Sequence, residues 1–233
     1  MNVKIYADGA DIQSMVEDYK AGRAVGFTTN PSLMKKAGVT DYVKFVEDVV
    51  KAIPDQSLSF EVFADDFATM EKEARKIAQF GENVFVKIPI MNTKQESSAP
   101  LIKKLSAEGI NINVTAIFTL DQVKEALDAA SEKAHTIISI FAGRVADMGI
   151  DPLPLMKEAE KICHSKKNVE LLWASTREAL NIVQADEVGC DIITVPSGII
   201  AKMKNFGKQP IQGSLDTVVT FNKDITDLGL SIL

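Results

Sequence analysis

Short aliphatic runs recur along the chain, and between them apolar residues return every three or four positions. The first pattern reads as buried strands and the second as amphipathic helices. Strands are predicted over 3–8, 24–29, 58–63, 83–88, 111–116, 136–141, 169–174 and 191–195. Phe67, Met70, Ala74, Ile77 and Ala78 share one helical face, and so do Leu120, Val123, Leu127 and Ala130. Helix starts are marked where a hydroxyl is followed three residues later by Glu or Gln, at Thr93…Glu96, Thr119…Gln122 and Ser175…Glu178. No Pro/Gly/Ser-rich linker interrupts the alternation. It therefore predicts an α/β fold, one closed (β/α)8 TIM barrel spanning 1–233, with an open doubly wound sheet as competitor. The open sheet is weakened because no Gly-rich loop follows the first strand. Val218, Phe221, Asn222, Ile225, Leu228 and Ile232 mark an additional C-terminal helix at about 214–231. Its apolar face would close the barrel bottom or pack on a neighbouring subunit.

Strand parity sorts the polar residues. In the fifth strand Ile110, Ile112, Val114 and Ala116 share one face, and Asn111, Asn113 and Thr115 the other. The aliphatic face belongs against the helices, so the amides and hydroxyl should point to the barrel axis. The same rule turns Tyr6, Asp8, Ser59, Glu61 and Lys87 inward, and pairs Ser139 with Phe141 on one face. Most of these lie at strand C-terminal ends, where barrel enzymes build their sites. Asp8 and Asn30 could instead cap helices. Burying the whole set without function would leave each group to find a partner or cost about 1–3 kcal/mol.

Lys87 stands out, an amine inside Val84-Phe85-Val86-Lys87-Ile88-Pro89-Ile90 with no carboxylate adjacent in sequence. Burial disfavours an ammonium, so a lowered pKa and a nucleophilic amine are expected; a lysine that snorkels to water is the plainer alternative. Arg144, after Gly143 at a strand exit, and Arg177, just beyond Ser175 at an expected helix start, offer a clamp for a phosphate monoester. A net charge of -6 without a basic block argues against sequence-independent nucleic-acid binding. No apolar stretch reaches the length of a membrane span, the first residues lack a signal-peptide pattern, and Cys163 and Cys190 lack metal-ligand spacing. A cytoplasmic, thiol-containing protein is the simplest expectation.

Gly26-Phe27-Thr28-Thr29-Asn30-Pro31-Ser32-Leu33, Val86-Lys87-Ile88-Pro89, Asn113-Val114-Thr115, Ser139-Ile140-Phe141-Ala142-Gly143-Arg144 and Ala174-Ser175-Thr176-Arg177 follow one another in this order. Together they resemble the transaldolase family, in particular its short subfamily that includes the fructose-6-phosphate aldolases. The resemblance runs from Asp8 to about Pro196. It implies that Lys87 forms a Schiff base with a ketose phosphate and that Asp8 moves the proton of the hydroxyl at the bond being broken. Glu61 and Thr115 would activate the water of imine formation and hydrolysis. Asn30, Asn113 and Ser139 would hold the dihydroxyacetone unit, and Arg144, Ser175 and Arg177 the phosphate. Neither metal nor cofactor is implied.

Within that family, members acting mainly as aldolases tend to carry Gln where this chain has Glu61 and Tyr where it has Phe141. The resemblance therefore implies transfer of dihydroxyacetone from sedoheptulose 7-phosphate or fructose 6-phosphate to glyceraldehyde 3-phosphate or erythrose 4-phosphate, in the pentose phosphate pathway. Cleavage of fructose 6-phosphate, and a non-catalytic sugar-phosphate-binding protein, are the alternatives. Gly9-Ala10 stands where Thr-Ala is common, and Thr176 where Phe is frequent. The subfamily also implies a homo-oligomer, a ring pentamer or a decamer of two rings.

Overall fold

The computed structural model describes residues 1–232. Eight strands follow the predicted runs closely: β1 (Lys4–Asp8), β2 (Gly26–Thr28), β3 (Ser57–Glu61), β4 (Val84–Pro89), β5 (Ile112–Ile117), β6 (Thr136–Ile140), β7 (Val169–Trp173) and β8 (Ile192–Val195). They pair in sequence order and β8 closes on β1, so the sheet is a closed barrel and the open-sheet alternative falls. Every pairing is parallel. The connections are helical: α1 (Ile12–Lys20), α2 (Pro31–Ala37), α3 (Tyr42–Ala52), α4 (Phe67–Ala78), α5 (Ala99–Ala107), α6 (Leu120–Ala129), α7 (Ala142–Asp147), α8 (Leu153–Cys163), α9 (Leu180–Glu187) and α10 (Ser197–Ile200). The expected faces are the buried ones. Met70, Ala74 and Ile77 of α4 and Val123 and Leu127 of α6 pack inward.

Tyr6, Phe85, Ile137, Leu172, Ala174 and Ile192 fill the barrel, and Phe141 packs against them. Room for Tyr6 depends on Gly26, where a Cβ would sit 2.5 Å from the ring. Parity holds along β5 until Ala116. There φ is +59° and the register with β6 shifts between Val114 and Ile117, so Ala116 leaves the aliphatic face that alternation gave it. A bulge of this kind re-aims the strand end.

Of the three expected helix starts, Thr119…Gln122 is a full capping box on α6. The other two are corrected. Thr93 binds Asp65 in a loop and α5 begins later, after Ser98. Ser175 has φ +65°, incompatible with a helix cap, and α9 begins at Leu180. Among the described residues no helix is long and apolar enough to cross a membrane.

Residues from Ala201 onward form a second compact unit, a 3-10 turn (Ala201–Asn205) followed by α11 (Pro210–Leu228). The helix expected at about 214–231 starts earlier because Pro210 suits the first turn, where its missing N–H is not needed. No residue of α11 is buried, and Leu215, Val218, Phe221, Ile225 and Leu228 are exposed.

Candidate active site

The strand register lines up Glu61 of β3 with Lys87 of β4, and Lys87 with Asn113 of β5. Their side chains meet inside the barrel. Asn113 donates from Nδ2 to Ser59 Oγ at 3.1 Å, although β4 lies between their strands, a contact that only the interior allows. Ser139 Oγ donates to Asn113 Oδ1 at 2.7 Å, which fixes the orientation of the amide. Thr115 is buried and its hydroxyl has no partner.

Lys87 does not snorkel: it is 5% exposed. Its Nζ donates to the carbonyl of Thr29 at 3.0 Å and lies 3.4 Å from Glu61 Oε2. The carboxylates absent from its sequence neighbourhood thus come from other strands. Burial pushes the Glu61 carboxyl above its ordinary range, opposed chiefly by the Lys87 ammonium. Burial raises Asp8 likewise, with Lys87 and the Thr28 hydroxyl pulling the other way. The Tyr42 hydroxyl donates to the Glu61 carbonyl at 2.9 Å and holds the end of β3 in place.

Asp8 does not cap a helix; Asp11 caps α1, accepting from Ser14 N at 2.8 Å. Asn30 does cap α2, through Oδ1 and Leu33 N at 3.0 Å. The cap thus uses Oδ1 and leaves the amide donor out of that bond.

Phe141 sits at the end of β6 with its ring 5.7 Å from that of Phe118. The Arg144 guanidinium lies over it at 4.9 Å from the centroid. Arg177 makes a forked ion pair with Asp147, Nη2 to Oδ2 at 2.6 Å and Nε to both oxygens at 3.0 Å. Both arginines hold the Asp147 carboxyl below its ordinary range, Arg177 more strongly. The two cations are thus gathered at one edge of the mouth, but without the helix start expected at Ser175. Instead the Asn181 side chain accepts from the backbone N–H of Arg177 and Glu178, at 3.0 and 3.1 Å. Gly143 lets the two strand exits touch, since a Cβ there would lie 1.6 Å from the Ser175 carbonyl oxygen.

Sequence reasoning missed Thr29, Tyr42 and Asp147, and it left Thr194 out of the site. Thr29 directly follows β2 and Thr194 lies within β8, whereas Tyr42 opens α3 and Asp147 ends α7, positions with no local signal for the site. An adjoining cavity of about 990 Å³ is lined by Met34, Tyr42, Phe63 and Met91 and meets the predicted site residues only at Glu61.

A barrel whose mouth gathers a buried lysine, two carboxylates with raised pKa, a fixed amide and two arginines is equipped for imine chemistry on an anionic carbonyl compound. Comparison with known proteins gives the family. Residues 5–231 match the family described as Transaldolase/Fructose-6-phosphate aldolase, and the chain belongs to that family. A probable transaldolase of Nitrosopumilus maritimus (strain SCM1) is 34% identical over 205 residues, covering 86% of this chain and 87% of its own length. One from Thermoanaerobacter sp. (strain X514) is 34% identical over 231 residues, 99% of this chain and 100% of its own. Among solved structures, KGPDC from Streptococcus mutans aligns with a TM-score of 0.59 over 86% of this chain and 91% of that one. At 12% identity, that likeness concerns the fold alone.

Proposed function

We propose that the protein is a transaldolase working through a Schiff base on Lys87. The observation that carries this reading is the placement of the Lys87 amine, sealed in the barrel, with Glu61 Oε2 at 3.4 Å and the half-buried Asp8 carboxylate acting on it. The amine adds to the ketone carbon of a ketose phosphate, and the carbinolamine loses water to give a protonated imine. Glu61 and the unpartnered Thr115 hydroxyl serve proton transfer to and from that water. Asp8 takes the proton of the hydroxyl beside the bond to be broken. The carbon–carbon bond then breaks, its electrons move to the imine nitrogen, and the aldose phosphate departs. The enamine left on Lys87 adds to a second aldehyde, Asp8 returns the proton, and water hydrolyses the imine. Asn113, locked by Ser59 and Ser139, holds the three-carbon unit together with Asn30. Arg144, Ser175 and Arg177 take the phosphate, with Arg177 exchanging Asp147 for it.

Phe141 favours transfer over cleavage. It offers no hydroxyl to the enamine, and its packing against the barrel core keeps water from that side. Sedoheptulose 7-phosphate and fructose 6-phosphate are the proposed donors, and glyceraldehyde 3-phosphate and erythrose 4-phosphate the acceptors, in a cytoplasmic pentose phosphate pathway. Borohydride reduction in the presence of fructose 6-phosphate tests the mechanism: a stable adduct on Lys87 is expected, and its absence refutes the reading. Cleavage that runs equally well without an acceptor aldehyde would make the protein an aldolase instead. The same proposal includes a homo-oligomer, a ring pentamer or decamer, built on the exposed apolar face of α11. Light scattering of a chain ending before Ser214 tests it, and an unchanged oligomer removes it.

A further inference from the structure

Asp8 is held by more than its charged neighbours. Thr28 Oγ1 lies 2.8 Å from Asp8 Oδ1 and 2.5 Å from Thr194 Oγ1. The three groups come from β1, β2 and β8, and both threonines are at least nine-tenths buried. A hydroxyl has one proton to give. Thr28 gives its proton to the carboxylate, so the Thr28–Thr194 contact requires Thr194 as donor. Thr176 Oγ1 donates to the Thr194 carbonyl at 2.7 Å, which anchors that residue without competing for its hydroxyl. The protons of the Thr194 and Thr28 hydroxyls therefore both point toward Asp8.

We propose that Thr28 and Thr194 are positioning residues for Asp8, forming a one-way hydroxyl array that keeps its carboxylate an oriented acceptor for the substrate hydroxyl proton. This rests on the reading of Asp8 as the group that moves that proton. No proton travels along the array in the reaction. It acts by polarisation, since each donor strengthens the next in a buried setting. The carboxylate needs such support because burial works against its charged form. The charged groups around it are Lys87 from β4, which favours its ionisation, and Glu61 from β3, whose own ionisation Asp8 opposes. β2 and β8 bring the hydroxyls of Thr28 and Thr194, the first on the carboxylate and the second on the first.

The test is a carboxyl-carbon NMR titration of Asp8 in the full chain, assigned with Asp8→Asn and repeated in Thr28→Val, Thr28→Ser and Thr194→Val. Losing a donor to the charged form should move the midpoint up, by about one pH unit for Thr28→Val and less for Thr194→Val. Thr28→Ser should stay near the parent. The acidic limb of the kcat/KM profile should move with the midpoint. Should Thr28→Val fail to fold, Thr194→Val decides alone, because it leaves the Thr28–Asp8 bond in place. Unmoved midpoints in the valine variants, or Thr28→Ser shifting as far as Thr28→Val, overturn the array. A midpoint that moves while borohydride fails to trap Lys87 upholds the array and removes the Schiff-base reading.

Discussion

The foot of the barrel and the interior of its mouth treat charge in opposite ways, and the short pair of Arg177 with Asp147 belongs to the rim between solvent and that interior. At the foot, where strands begin, charged groups meet direct partners, opposite charges or backbone groups, at short range. Lys4 Nζ is 2.6 Å from Glu170, Lys166 donates to the carbonyls of Leu127 and Ala130 at 2.7 and 3.1 Å, and Asp186 accepts from the backbone N–H of Asn2 and Val3. His164 is bound on both ring nitrogens, by Glu160 at 2.9 Å and Asp191 at 3.0 Å. At the mouth, Lys87 and Glu61 stand 3.4 Å apart in a buried site, and both carboxyls that face the amine are pushed up by burial. Orphaned hydroxyls do not separate the ends, because Thr136 at the foot lacks a partner as Thr29 and Thr115 do at the mouth. Backbone strain does. Among the described residues, the non-glycine positions with positive φ are Gln95, Ala116 and Ser175, all at or after strand C-terminal ends. The foot is organised for stability, and the mouth holds groups in states that the fold alone would not choose.

Lys87→Met should break the mouth most completely. Transfer activity should fall on the order of 10⁴-fold or more, and no borohydride adduct should form. Thermal stability should fall by less than a core truncation causes, because Glu61 and Asp8, left without their cation, can take up protons instead of standing as unpaired buried charges. A loss of melting temperature as large as that from a core truncation would mean that Lys87 serves the fold instead.

Asp8→Asn sharpens the same contrast. A carboxyl whose folded pKa is raised binds its proton more tightly in the folded state. Its charge therefore weakens the fold above the unfolded pKa, and this penalty disappears as pH falls below that value. The amide should thus melt at the same temperature as the parent or higher at neutral pH, with activity down about 10²–10⁴-fold. Lower stability at pH 7 would contradict the assigned direction.

Much of this was legible in the sequence, and the reasons differ by residue. Period-two alternation is enforced by burial on both sides of a barrel strand, so Asp8, Glu61, Lys87, Asn113 and Ser139 were placed by parity alone. Ala116 escaped because a bulge depends on backbone strain, which the alternation of β5 does not encode. The box-like spacing at Ser175 misled for a related reason: positive φ takes that residue out of the conformation a cap needs. The contact between Thr28 and Thr194 spans 166 positions and follows only from closure of the barrel between β1 and β8. Asp147 was hidden because its partner lies on the next βα unit.

Gly143→Ala tests how tightly the mouth is assembled. The added carbon would lie 1.6 Å from the Ser175 oxygen and 3.2 Å from Arg177 Cγ, so the exit of β7 must move. A loss of about 1–3 kcal/mol is expected from overpacking, read by denaturant unfolding. KM for a phosphorylated donor should rise more than KM for its unphosphorylated analogue, because the displaced loop carries Ser175 and Arg177. Equal changes for both donors would separate this loop from phosphate binding.

The smallest effect belongs to the foot. His164 has its pKa raised, first by its hydrogen bond to Asp191 and further by Glu160, while its partial burial works the other way. A histidine raised in the folded state stabilises fully below its unfolded value of about 6.5, and the contribution is lost as pH climbs through the folded value. His164→Ala should therefore lower the melting temperature more at pH 6 than at pH 9. The ring is partly exposed and its pairs are screened, so the acid-side loss should stay near 1 kcal/mol, or about 2–4 °C for a chain of this length. Activity per folded molecule should not change, because no group at the mouth depends on this pair. A larger loss at pH 9 than at pH 6 would show that His164 acts through packing. A loss of activity without a change in melting temperature would mean that the foot is coupled to the chemistry, and the division between the two ends would fail.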